Sequence, residues 1–156
     1  MIMDRADQIV IFTLNEQRYG VPLGVVERVV PMVEITRLPS GPEFIQGVIN
    51  VQGEIMPVLN LRRRFNLIER PVELSDQLII IRCAARSFAL MTDGACQVRC
   101  CAEQLRTDSE KIIPDLPYLS AVARLPDGLI LLQDPEALLS CAEAESIDEL
   151  IASGLP

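Results

Sequence analysis

Gly47-Val-Ile-Asn-Val-Gln-Gly-Glu-Ile-Met-Pro-Val-Leu-Asn-Leu61 is the stretch on which the fold turns. Two β-type runs flank the Gln52-Gly53 pair, with Val48, Ile49 and Val51 before it and Ile55, Val58 and Leu59 after it. Gly53 tolerates the positive φ that a short reversal needs, so the stretch reads as a β-hairpin. Pro57 has no N–H to give to a ladder, which predicts that the second strand is an edge or kinks there.

Working outward, the same alternation of apolar runs and turn residues recurs. Gln8 to Leu14 and Arg18 to Pro22 flank the polar Asn15-Glu16-Gln17. Gln77 to Cys83 and Arg86 to Met91 flank Ala84-Ala85, and Leu119 to Leu125 and Leu129 to Gln133 flank Pro126-Asp127-Gly128. Each pair predicts a hairpin, Gln97 to Cys101 reads as a further strand, and the two halves repeat one plan. Leu23 to Val30 places Leu23, Val26 and Val30 at a helical spacing that leaves Glu27 near the surface, and Val33, Ile35 and Leu38 continue as an extended segment broken at Ser40-Gly41-Pro42.

Helices are few. Leu61 to Asn66 reads as one or two turns, Pro71 to Asp76 as a connector, and Ala102 to Asp115 as a loop with a helical turn. Pro135 to Ala144 opens with proline and carries Ala137, Leu138 and Cys141 along one side. A second helix is predicted after Ser146, with Glu149 completing a capping box. Many short strands with little helix point to an all-β architecture built from small barrels.

Composition bounds the function. The chain has 156 residues, 49% of them hydrophobic but only 4% aromatic and none Trp, so the core must be aliphatic. A net charge of -8 argues against nucleic acid, whose phosphates need a basic face. The basic run Arg62-Arg63-Arg64 reads as a solvated helix face rather than a docking patch. The N-terminal Met-Ile-Met-Asp-Arg-Ala-Asp lacks the basic and apolar regions of a signal peptide, and no apolar run reaches the ~20 residues of a membrane span. A cytoplasmic protein without membrane insertion is expected.

Catalytic parts are missing from the sequence. With no His in the chain, Ser-His and Cys-His nucleophile pairs and a phosphoryl-accepting histidine are excluded, and no phosphate-cradling glycine loop or dinucleotide fingerprint is present. The five cysteines, with Cys96, Cys100 and Cys101 close together, lack the spacing of zinc ligands and read as free, buried thiols. Asp93 before Gly94 reads as a turn residue, and Glu143, Glu145, Asp148 and Glu149 as a solvated helix surface. No enzyme, metal or cofactor is expected. A binding module is favoured; the alternative is a small-molecule-sensing or regulatory β-domain with a pocket between its halves.

The central stretch closely resembles the signature of the CheW family, the coupling proteins of bacterial chemosensory arrays. Their usual pattern is Gly-x-x-Asn-x-Arg-Gly followed by Pro-Val-x-Asp-Leu-Arg, and Gly47, Asn50, Gly53, Pro57, Val58, Leu61 and Arg62 fit it. The resemblance extends to Tyr19-Gly-Val-Pro, Val25-Val-Glu27, Leu38-Pro39, Phe44-Ile-Gln-Gly47, Asp127-Gly-Leu-Ile-Leu-Leu and Pro135-Glu-Ala-Leu-Leu139. It implies a single domain over 1–156 of two packed SH3-like five-stranded barrels. Lobe one would span about 8–66, with its N-terminal strand open to sharing, lobe two about 77–133, and a C-terminal helical segment about 135–153.

The resemblance also implies partners: the regulatory domain of a CheA-type histidine kinase, met through apolar patches on both lobes, and the helical signalling tip of a chemoreceptor at the inner face of the membrane. It places the receptor contact on Val25, Glu27, Gly47, Asn50, Gln52 and Gly53. Two positions depart from the pattern. Gln52 stands where relatives carry an arginine placed to pair with the acid matching Glu27, and Asn60 where they carry aspartate. Gln52 offers only an amide, which would leave Glu27 freer to meet a basic residue of a partner.

Overall fold

The computed structural model describes residues 7–94, 97–102, 105–112 and 116–154. Its four sequence-marked hairpins are β1 (Gln8–Leu14) with β2 (Gln17–Pro22), β4 (Ile45–Val51) with β5 (Glu54–Leu59), β6 (Gln77–Cys83) with β7 (Arg86–Thr92), and β10 (Leu119–Leu125) with β11 (Gly128–Gln133). Single strands β3 (Val26–Pro31), β8 (Gln97–Cys100) and β9 (Arg106–Asp108) complete a mostly-β chain. Positive φ at both turn residues closes three hairpins: Asn15-Glu16, Gln52-Gly53 and Ala84-Ala85. Such turns match the right-handed twist of the strands that they join.

The strands form two mixed sheets. One runs β8-β1-β2-β11-β10-β9 and the other β3-β6-β7-β5-β4. A repeat relates them. In each, a long hairpin (β1-β2 or β6-β7) pairs in parallel with the second strand of another hairpin (β11 or β5). That hairpin carries a register shift at its far end, between Leu119 and Ala121 or between Ile45 and Gly47. A capped helical turn follows it: Asn60 before α1 (Leu61–Arg64), and Asp134 before α3 (Pro135–Leu138).

The remaining strand of each half is exchanged. β3 follows the β1-β2 hairpin yet pairs with β6, whereas β8 follows β6-β7 yet pairs with β1. The sheets therefore do not divide the chain near 66–77 as the lobe expectation had it. Residues 8–22 belong with the later strands, 26–92 make the other sheet, and one sheet has six strands rather than five.

This exchange sets the core. β1 is buried on both faces: Ile9 and Ile11 point into the cluster under β10 and β11, and Val10, Phe12 and Leu14 into the space between the sheets. β6 copies it, with Leu78 and Ile80 into its own barrel and Ile79 and Ile81 into the shared space. Phe12, Tyr19 and Phe65 stack in series within that central cluster. α4 (Cys141–Gly154) closes it with Ala144 and Ile147.

Several expectations change. Helical geometry covers only Leu23–Val25, as a 3-10 turn, because the β-branched run from Val26 is held as β3 against β6. Pro57 lies in an inner strand, not an edge. Val48, its cross-strand partner, spends its own N–H and C=O on Thr36, so Pro57's imide nitrogen faces away from β4, on the side where pairing with β7 begins only at Val58. The loop predicted over Ala102 to Asp115 contains the polar strand β9 beside α2 (Ser109–Ile112), an edge strand with no apolar period to reveal it.

The C-terminal helix also starts elsewhere. Leu139 is extended, and Ser140 and Glu143, not Ser146 and Glu149, form the capping box: Glu143 N–H donates to Ser140 Oγ at 3.2 Å, and Ser140 N–H to Glu143 Oε1 at 3.1 Å. Cys101 is buried and Cys83 half-buried, but Cys100 and Cys141 are exposed, against the expectation of buried thiols; Cys96 lies outside the described residues.

Backbone geometry yields two opposite stability changes. A Cβ at Gly47 would stand 2.3 Å from the Thr36 carbonyl oxygen, so Gly47→Ala should lower the unfolding free energy by about 2 kcal/mol or more. Ala85 already sits at φ 62, so Ala85→Gly should raise it by up to about 1 kcal/mol. Urea denaturation of the two variants checks both signs.

Candidate functional site

The exchanged strands β3 and β8 lie at sheet edges and flank a shallow groove. Leu23, Val26, Glu27, Arg28 and Val29 line one wall, Gln97 and Val98 the other, with Val10 of β1 beneath. The groove obeys the repeat. Val98 stands opposite Val10 on β1, and Val29 opposite Ile79, the residue of β6 equivalent to Val10. Both valines are exposed, at 37% for Val29 and 52% for Val98, and they line one groove rather than standing singly on the surface.

Glu27 falls at the register shift between Val26 and Arg28, the extra residue of a bulge in β3. Bulges re-aim side chains, and this one turns the carboxylate along the sheet toward Arg82 at the end of β6. Arg82 Nη2 donates to Glu27 Oε1 at 3.4 Å and to Glu54 Oε2 at 3.1 Å. The two carboxylates, Glu27 foremost, raise the guanidinium's pKa above its ordinary value. Glu54 is the first residue after the Gln52-Gly53 turn, so one arginine ties the hairpin to the groove's rim. Glu27 is therefore already paired, and its charge is met by Arg82 rather than left open by the neutral Gln52.

The other sequence-predicted positions separate into surface and scaffold. Gln52 and Gly53 are exposed at the turn tip, and Asn50 shapes that turn by accepting from Gly53 N–H at 2.8 Å. Val25 is half-buried and packs on the central cluster. Gly47 is buried against Thr36, which gives it a backbone role. Asn60 caps α1, accepting from Arg63 N–H at 3.2 Å while its amide donates to Gln46 Oε1 at 3.0 Å. Aspartate could make the first bond only.

The arginine run is not a solvated face. Arg62 is buried and paired with Asp93, while donating to Asn15 Oδ1 at 2.9 Å. Arg64 lies over the Phe44 and Tyr118 rings at 3.9 Å and 4.8 Å, residues that hold equivalent places ahead of the two hairpins, and it reaches Glu143 at 2.5 Å. Only Arg63 is exposed, pairing with Glu69. Asp93 is likewise more than a turn residue. It accepts from Arg62, from Arg70 at 2.8 Å and from Asn15 N–H at 2.9 Å, while Arg70 also grips the buried Asp76 at 2.6 Å.

A second feature lay beyond sequence reasoning. Ile55 and Leu129 are each the second residue of the inner hairpin strand, one per sheet, and each is exposed, at 42% and 56%. Periodicity alone could not separate them from their buried neighbours Met56 and Ile130; their equivalence under the repeat is the signal that could have.

A family model described as CheW-like domain matches residues 8–143. The Klebsiella aerogenes protein named Chemotaxis protein CheW is 29% identical over 148 residues, covering 94% of this chain and 89% of that one. Its namesake from Treponema pallidum is 24% identical over 155 residues, covering 96% and 91%. The crystal structure of the scaffolding protein TtCheW from Thermoanaerobacter tengcongensis is similar with a TM-score of 0.80 and 29% identity, over 88% of this chain and 95% of that chain.

The ion pairs predict an acid limit. Asp127, with Arg18 foremost and then Arg99 donating to it, is held down at about 2. Burial pushes Asp76 and Glu143 up, but hydrogen bonds from Arg70 and Arg64 outweigh it and leave both below their ordinary values. Depressed carboxylates stabilise the fold fully above the unfolded range near ~4 and lose that contribution as pH falls through the folded values. The urea midpoint should be flat from about pH 8 to 5 and fall below about 4. Arg70→Ala, which strands Asp76, should cost about 3 kcal/mol at neutral pH by the same assay.

Proposed function

The chain belongs to the CheW-like domain family and serves as a chemotaxis coupling scaffold, and on that premise we propose how its surfaces are shared between two kinds of partner. The β3-β8 groove, with Val25, Glu27 and the Asn50-Gln52-Gly53 turn at its rim, takes the helical signalling tip of a chemoreceptor. The two barrel ends marked by Ile55 and Leu129 take the regulatory domain of a CheA-type histidine kinase.

The observation that carries this division is the pairing of exposed aliphatics under the repeat: Val29 with Val98 inside one groove, Ile55 with Leu129 on two separate ends. A groove with an apolar floor and charged rim suits one amphipathic helix. Two equivalent ends suit a partner that repeats the same fold, and engagement at both ends extends into rings. Coupling of this kind asks for binding and no catalysis, and a chain without His carries no phosphohistidine. No described helix is long and apolar enough to cross a membrane, so attachment to receptor arrays would come through the receptor.

The alternative of a ligand-sensing domain needs a cavity between the sheets. That space is filled by Phe12, Tyr19, Leu59, Phe88 and Leu90. The test is a separation of function. Val29→Asp with Val98→Asp should weaken binding to the receptor tip at least about tenfold and leave kinase affinity within about twofold, and Ile55→Asp with Leu129→Asp should do the reverse. Titration calorimetry with each partner measures both, and loss of both affinities by either pair would refute the division.

A further inference from the structure

Three strands that are distant in sequence send charged side chains to one point beside the groove. Glu27 arrives by a bulge in β3, Glu54 by the hairpin turn into β5, and Arg82 from the end of β6, with Nη2 3.4 Å and 3.1 Å from the two carboxylates. Arg82 is half exposed, so solvent screens these contacts and they add little to folding stability. What the arrangement does fix is position. Glu27 sits on an edge strand that pairs on one side only, and the exposed Gln52-Gly53 turn is braced at its tip within its own hairpin, by Asn50. Both contacts are made by Nη2, whose two N–H bonds are fixed in the guanidinium plane and diverge toward the two acids, a geometry that a lysine's freely rotating ammonium holds less firmly.

We propose that Arg82 is a positioning residue of the receptor-facing surface: it locks the rim of the β3-β8 groove and the Gln52-Gly53 turn into one preformed recognition face, and so sets affinity for a helix without being buried by it. This rests on the receptor reading above. Two carboxylates against one guanidinium leave this corner with a net negative charge, while Arg28 lies within the groove itself. The helix that fits is therefore amphipathic, with aliphatic residues over Val29 and Val98 and a basic residue at the Glu27 end. Preformed surfaces bind more tightly because less order must be imposed on association.

The experiment is a double-mutant cycle, with the full chain binding a receptor signalling-tip fragment by calorimetry and kinase binding measured in parallel. Arg82→Ala should raise the receptor Kd about tenfold, and Arg82→Lys should give an intermediate value. Glu54→Gln, which touches the turn rather than the groove, should weaken binding severalfold, and the Arg82→Ala, Glu54→Gln double variant should bind no more weakly than Arg82→Ala alone, since both remove one linkage. Thermal midpoints and kinase affinity should stay at the parent values. Unchanged receptor affinity in Arg82→Ala, or fully additive losses in the double variant, would overturn the proposal while leaving the coupling role intact. A parent protein that binds the kinase but no receptor tip would instead remove the receptor reading, and this inference with it.

Discussion

The architecture depends on two strands, β1 and β6, each buried on both faces because each has a barrel on one side and its counterpart's sheet on the other. A strand in that position can carry almost no polar side chain, and the sequences Ile-Val-Ile-Phe at 9–12 and Leu-Ile-Ile-Ile at 78–81 answer that demand. Everything else is arranged around the pair. The exchanged strands β3 and β8 each leave the hairpin that precedes them to cover the other's central strand, so neither sheet is complete without chain from both sides of the linker. Unfolding either sheet must therefore disturb the other, which favours a single cooperative transition.

The arginines follow from the same geometry. The two repeats meet where Phe44 and Tyr118, each just ahead of its hairpin, come within reach of the last residue of α1. Arg64 fills that place, its plane on two rings and its charge on the Glu143 that caps α4. Where the linker crosses from β5 to β6, Arg62 and Arg70 converge on Asp93 and Asp76 and fasten it to the ends of the long hairpins. A run that reads as three solvated cations in sequence is thus one surface pair and two structural clamps, because sequence cannot say which carboxylates will be brought to them from 31 and 79 residues away.

Local chemistry was legible wherever it was self-contained. The hairpins at Asn15-Glu16, Gln52-Gly53, Ala84-Ala85 and Pro126-Asp127 follow from apolar runs and the turn residues between them, and so did the mostly-β class. What depends on distant chain was not legible. The exchange of β3 and β8 leaves no local trace, and β9, Arg106–Asp108, is three polar residues at a sheet edge with no apolar alternation to mark it. The capping box moved from Ser146 to Ser140 because Arg64 holds Glu143 where it can also cap. At the candidate site, neither the bulge that turns Glu27 aside nor its partner was legible, since Arg82 lies 55 residues on.

The charged groups share one further property, which bears on a coupling role. A scaffold that reports receptor state to a kinase must not itself respond to unrelated variables. This chain has no His, and the arginines around Asp76, Asp127 and Glu143 hold their carboxyls below the ordinary range, Asp127 at about 2. Burial raises the Cys83 thiol, which keeps it neutral as well. Asp127 in the turn ahead of Leu129, and the clamped Asp76 and Glu143, therefore stay charged throughout the neutral range. These carboxylates brace the same geometry over that range, so the clamps they form add no pH switch of their own to coupling.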